Sequence, residues 1–225
     1  HTIDRGLTTD EADGEVMYID SGSNIVINNG TITGGRTSNG AGGIHVNGAY
    51  LYLNDVRVVG NKGLVEDYGG GIALYGHSNL VMNGGELGDN YADYRGGAVY
   101  LGDSGISAEF NDVKIYNNRS HNGNYQGGAI AYAYGENCTL KFTNCEMWAN
   151  SGADLIVTIE DNSNVYMYGC DIHDNAGSTI VSMLTDNFTA EHILEVKNTR
   201  IHDNEDTDYA FCLEDVKLTL ENVTV

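Results

Sequence analysis

Three short stretches of this chain carry the residue types best suited to holding a ligand. They are Glu66, Asp67 and Tyr68; then Tyr91, Asp93, Tyr94 and Arg95; then His121, Asn124, Tyr125 and Gln126. Tyr68, Tyr94 and Tyr125 fall at almost the same place in three successive repeats. A phenol offers a flat apolar face and a polar tip, and the amides and carboxylates beside it exchange hydrogen bonds with hydroxyls. Such a set suits stacking against a sugar ring. The competing reading is that the tyrosines shelve over the edge of an apolar core. The expected ligand-binding residues are Tyr68, Tyr91, Asp93, Tyr94, Arg95 and Tyr125.

A second set could do acid–base chemistry. His173-Asp174 and His202-Asp203 form repeated I-H-D-N corners, and Asp89 shares the column of Asp174 and Asp203. Paired carboxylates hydrolyse glycosides, and a carboxylate cluster with calcium and a basic residue supports eliminative cleavage. No nearby Arg or Lys completes a lyase-like set, and repetition of a whole corner is the mark of duplication. No catalytic residue is expected, and the balance leans away from an enzyme. The densest acidic run is Asp203, Glu205, Asp206 and Asp208. Calcium needs six to eight oxygens converging from several directions, which one run of alternating acids does not guarantee. A solvated corner is the favoured reading, with calcium the one cofactor left open. The four cysteines, Cys138, Cys145, Cys170 and Cys212, include no C-x-x-C pair and no zinc spacing, so no metal ligands are assigned. Cys145 and Cys170 share a column and are expected as a reduced, stacked pair.

Charge narrows the partners. The 225 residues hold 11 Lys+Arg against 32 Asp+Glu, a net charge of −21. Such a field repels nucleic acid and anionic lipid, so neither is expected as a partner. The apolar runs are far too short to cross a bilayer, so no membrane insertion is expected. With 30 Gly, no Pro and strongly β-forming runs between the glycines, the composition suits frequent short strands with tight corners.

The elements that must position these residues are written as a repeat. Seven segments align without gaps: IVINNGTITGG from Ile25, LYLNDVRVVGN from Leu51, LVMNGGELGDN from Leu80, AEFNDVKIYNN from Ala108, LKFTNCEMWAN from Leu140, VYMYGCDIHDN from Val165 and LEVKNTRIHDN from Leu194. LTLENVTV from Leu218 is an eighth. The third position reads Ile27, Leu53, Met82, Phe110, Phe142, Met167, Val196 and Leu220, so the copies lie 24 to 32 residues apart. The eighth position is also wholly apolar, from Ile32 to Ile201. Alternation within each segment marks strands with one buried face. The spacing predicts a coil of short strands, each lying on its equivalent in the next turn: an all-β, single-stranded parallel β-helix of about eight rungs, right-handed by the resemblance given below. A second strand column is expected at Gly43-Ile44-His45-Val46, Gly71-Ile72-Ala73-Leu74, Ala98-Val99-Tyr100-Leu101 and Ala129-Ile130-Ala131-Tyr132. Residues 1–14 read as the end of a preceding rung or a cap, and 15–225 as the β-helix domain, a fragment of a longer array.

Two further columns are expected to set the register. The eleventh position is Asn61, Asn90, Asn118, Asn150, Asn175 and Asn204, read as a structural ladder at a turn, where Asn tolerates left-handed backbone and its amides bond up the column. The outward seventh position is Arg57, Glu86, Lys114, Glu146, Asp171 and Arg200, alternating in sign except at the Glu146–Asp171 step.

The motifs Gly96-Gly97-Ala98-Val99, Phe110-Asn111-Asp112-Val113 and Gly127-Gly128-Ala129-Ile130 resemble the GGAI and F-x-x-N repeats of chlamydial polymorphic outer membrane proteins. The wording NNGTITGG, GGGIALYG and GGAIAYAYG is similar to right-handed β-helix, adhesin-like surface proteins of gut bacteria and archaea. The resemblance covers residues 15–225 and implies a secreted or cell-surface rod with an adhesive or structural role. Host or microbial glycans, or surface proteins, are the partners it suggests. A polysaccharide lyase or glycoside hydrolase on the same scaffold is the alternative, and a purely structural surface spacer is the third reading.

Overall fold

The computed structural model describes residues 1–6, 13–64, 68–121, 127–159, 162–184, 192–205 and 207–225. Every element among them is a β-strand, and every strand pairing is parallel and joins one turn of the coil to the next. The strands form three faces. Face A is a sheet of 14 strands, face B of 4 very short ones and face C of 8. The fold is a right-handed parallel β-helix of about eight rungs.

The repeat columns are the pairing columns. On face A, Ile27, Leu53, Met82, Phe110, Phe142, Met167, Val196 and Leu220 pair in that order from rung to rung. The other inward column starts at Ile3, opposite Ile32, and passes through Val58, Leu87, Ile115, Met147 and Ile172 to Ile201. Face C opposes them with Ile44, Ile72, Val99, Ala131, Ile156 and Val181. Phe110 and Phe142 stack with centroids 5.2 Å apart inside this core. Each side chain meets its own kind above and below, so burial and register reinforce one another.

One stretch departs from the sequence register. Val99 pairs with Ala131 and Tyr100 with Tyr132, one residue later than simple alignment of the GGA motifs places them. A β-bulge between Gly128 and Ala131 absorbs the extra residue. The chain folds so tightly there that a Cβ on Gly128 would meet the Ala131 carbonyl oxygen at 2.0 Å. The bulge turns Tyr132 outward, directly over Tyr100.

The corners account for several of the aspartates. One corner column, Asn29, Asp55, Gly84, Asp112, Asn144, Gly169, Asn198 and Asn222, has positive φ throughout. So does a second, Gly34, Gly60, Asp89, Asn117, Ala149, Asp174 and Asp203. Asn and Asp are the non-glycine residues that adopt this conformation most readily. The ladder asparagines themselves are not at positive φ; the residue just before each takes that strain, so left-handed tolerance is not what selects Asn61 to Asn204.

What those asparagines do is bond. Each Oδ1 from Asn90 to Asn204 accepts both the backbone N–H and the side-chain amide of the asparagine one rung before it, at 2.9–3.2 Å. The same amides donate back to core-strand carbonyls, as Asn118 does to Leu87 O at 2.9 Å. Asn61, Asn90, Asn118, Asn150 and Asn175 are buried.

Cys145 and Cys170 lie buried in one column, and all four cysteines are free thiols. The adjacent Cys170 sulfur and burial push the Cys145 thiol up.

Candidate functional site

The expected ligand-binding residues divide between two faces. Tyr68, Tyr94 and Arg95 come together on the outside of face C. The Tyr68 ring stacks on Tyr100 with centroids 4.6 Å apart and meets Tyr94 edge-on at 5.4 Å. The Arg95 guanidinium lies between two rings, 4.5 Å from Tyr94 and 4.7 Å from Tyr132. Its Nε is buried without a hydrogen-bond partner. The ring contacts continue inward to the buried Tyr100 and Tyr132, and along the face through Tyr75, His45 and Tyr18. Burial pushes the Tyr100 and Tyr132 hydroxyls well above the usual range, so both are neutral phenols.

Beside this surface opens a cleft of about 550 Å³. Tyr68, Tyr75 and His45 supply its aromatic wall, and Ser38, Asn39, Asn47 and Asp103 its polar groups. The polar wall is fixed from behind. Asp103 Oδ2 accepts the Gly76 N–H at 2.7 Å, Ser38 donates to Asp13 at 2.6 Å, and His45 Nδ1 sits 3.1 Å from Glu15. The Ser38 hydroxyl and N–H hold the Asp13 carboxyl below its ordinary range. The site is thus rigid aromatic surface next to oriented amide, hydroxyl and carboxylate groups.

Tyr91 and Asp93 lie elsewhere, on the face B side. Tyr91 pairs in register with Lys62 and Arg119, and its hydroxyl donates to Asp93 at 2.9 Å. Burial and that bond push the Tyr91 hydroxyl up to about 12. The separation has a local cause: Tyr91 belongs to the two-residue strand Tyr91–Ala92, whereas Tyr94 and Arg95 have passed the corner toward face C. Tyr125, with Glu66, Asp67, Asn124 and Gln126, lies outside the described residues.

The histidine corners form a different object. Tyr116, Trp148, His173 and His202 stack up face A with near-parallel rings. Both nitrogens of each imidazole face carboxylates: His173 Nδ1 lies 2.7 Å from Asp174 and Nε2 3.6 Å from Glu146, while His202 Nδ1 lies 2.7 Å from Asp203 and Nε2 3.0 Å from Asp171. Each acid of the like-charged Glu146–Asp171 step of the outer ladder thus faces an imidazole of the following rung, Glu146 that of His173 and Asp171 that of His202. Hydrogen bonds to Asp203 and Asp171 raise the His202 pKa. A basic residue is present after all, since Arg200 lies 3.9 Å from Asp171, but it stands in the charge ladder. Asp89, Asp174 and Asp203 occupy positive-φ corners, a structural reason for their identity. Of the acidic run, Asp206 lies outside the described residues; among the described residues no group of three or more His, Cys, Asp or Glu is arranged to hold a metal ion. No helix of the described residues is long and apolar enough to cross a membrane.

No curated protein and no solved structure matches the chain. The family model for the right-handed β-helix region matches residues 5–158, more than half of the length. That match agrees with the parallel pairing of every rung, and the chain belongs to the right-handed β-helix family.

Proposed function

We propose that this chain is a non-catalytic, glycan-binding segment of a secreted or cell-surface adhesin-like protein. The observation that carries the reading is the face C cleft, where Tyr68 and Tyr75 stand beside Asn47 and Asp103. Aromatic surface next to convergent hydrogen-bonding groups on a rigid scaffold is suited to sugar rings and their hydroxyls. The non-catalytic part of the reading draws on the histidine corners. Both nitrogens of each imidazole already face a carboxylate, and the neighbouring aspartates are accounted for by backbone conformation.

A glycan array followed by calorimetry tests this. Tyr75→Ala is expected to weaken the bound glycan at least tenfold, and Tyr75→Phe to retain most of the affinity. Absence of any bound glycan would favour the spacer reading. Release of unsaturated or reducing sugar ends from a polysaccharide would establish the enzyme reading instead.

A further inference from the structure

Face B presents an outward column of Arg36, Lys62, Tyr91 and Arg119, in register over four successive rungs. The corner glycines make it. Gly42, Gly70 and Gly97 lie flat against the backbone of Lys62, Tyr91 and Arg119, where a Cβ would approach to 2.4–2.5 Å. The two-residue strands alternate these outward side chains with Thr37, Gly63, Ala92 and Ser120, all buried.

On face A three of the cations have carboxylate partners: Arg57 with Glu86 at 2.8 Å, Lys141 with Glu109 at 3.6 Å and Lys197 with Glu195 at 2.7 Å. Lys62 and Arg119 do not. Among the described residues neither has a carboxylate oxygen within 4.0 Å. Lys62 Nζ lies over the Tyr91 ring at 5.8 Å, and Arg119 donates to the Asn117 amide oxygen at 3.4 Å. The two cations stand in one column, one on each side of Tyr91, with their charge not taken up by a carboxylate. A cleft of about 360 Å³ joins them, lined also by Tyr91, Asp89, Asn90 and Asn117.

We propose that this cleft is a second binding site, which takes the anionic group of an acidic glycan, a carboxylate or a sulfate ester. Lys62 and Arg119 flank the anion, and Tyr91 between them supplies apolar surface for the sugar. Asp89 already accepts the Asn117 amide at 2.5 Å and keeps acceptor capacity for hydroxyl donors. Those acceptors favour a glycan, whose hydroxyls can donate to Asp89, over a glutamate peptide, which brings no hydroxyls. The net charge of −21 opposes a polyanion at a distance, but physiological salt confines that field to about 8 Å. The site shares no lining residue with the face C cleft, so either can fail alone.

The test is calorimetric titration with three probes: a galacturonic acid tetrasaccharide, the same chain fully methyl-esterified, and an O-sulfated galactose tetrasaccharide. Each is run on the wild type, on Tyr75→Ala, and on the Lys62→Gln/Arg119→Gln double variant. At least one anionic probe is expected to bind tenfold or more tightly than the ester, in the wild type and in Tyr75→Ala alike. Which one binds identifies the carboxylate or the sulfate. The double variant is expected to erase the preference with its melting temperature unchanged, and Lys62→Arg to preserve it. The proposal is overturned by a failure of both anionic probes to out-bind the ester, by a preference that survives the double variant, or by equal binding of a glutamate tetrapeptide.

Discussion

The molecule carries two asparagine ladders of nearly identical bond geometry in opposite surroundings. The inner one runs from Asn61 to Asn204, buried for most of its length, with amide bonds of 2.9–3.1 Å. The outer one, Asn28, Asn54, Asn83 and Asn111, stands on the surface of face A with amide bonds of 2.8–3.0 Å. Distance does not distinguish them. Water does: an outer amide that loses its neighbour bonds to solvent, while an inner one is left with nothing. The inner ladder therefore specifies register, and the outer ladder is mainly consistent with it.

The largest expected effect is at the centre of the inner ladder. Asn118→Ala removes the acceptor of the Asn90 backbone and side-chain N–H groups and the donors to Asn150 and Leu87 O. It is expected to destabilise by about 3 kcal/mol, read by denaturant melts. A loss below half of that would mean that water enters the column and that the two ladders do not differ. The matching change outside, Asn83→Ala, is expected to cost no more than about 0.5 kcal/mol, read by the same melts. A cost near that of Asn118→Ala would break the comparison from the other side.

The smallest effect concerns the histidine corners and depends on pH. Hydrogen bonds to Asp203 and Asp171 raise His202 above its ordinary value of 6.5, so folding favours the protonated ring. That contribution is complete below the unfolded pKa and is lost as pH rises through the folded one. Asp203, lowered chiefly by its bond to His202, contributes above its unfolded pKa and loses that as pH falls. The melting-temperature gap between wild type and His202→Gln is therefore expected to be widest at mildly acidic pH and to close toward pH 8, measured by thermal scans across that range. A gap constant with pH would show that the ring acts by packing alone.

The core was legible in the sequence because buried columns admit few substitutions. The third and eighth positions are apolar in every rung, and the eleventh is Asn in six consecutive rungs. The aromatic surface of face C was less legible. Tyr100 and Tyr132 stack only because a bulge slips the register by one residue, and counting from the GGA motifs hides that slip. His45 and Tyr75 sit on strands whose inward neighbours dominated the pattern. Asp174 and Asp203 drew attention as chemistry because side-chain type was visible in the sequence and backbone φ was not. Tyr91 was grouped with Tyr94 by proximity in sequence, though a corner three residues wide puts them on different faces.

The inner ladder has a consequence beyond its bonds. Five of its six side-chain amides donate to the following rung, so the amide dipoles add along the axis, as peptide dipoles do along an α-helix. The result is a polarised spine whose positive pole points toward Asn204, where Asp203 and Glu205 supply negative charge on either side in sequence. Mutual polarisation strengthens aligned hydrogen bonds by roughly 10–30% each, and only the middle members are polarised from both directions. The same asparagine is therefore worth more at Asn118 than at Asn61 or Asn204, and a side chain's contribution depends on its place in the queue.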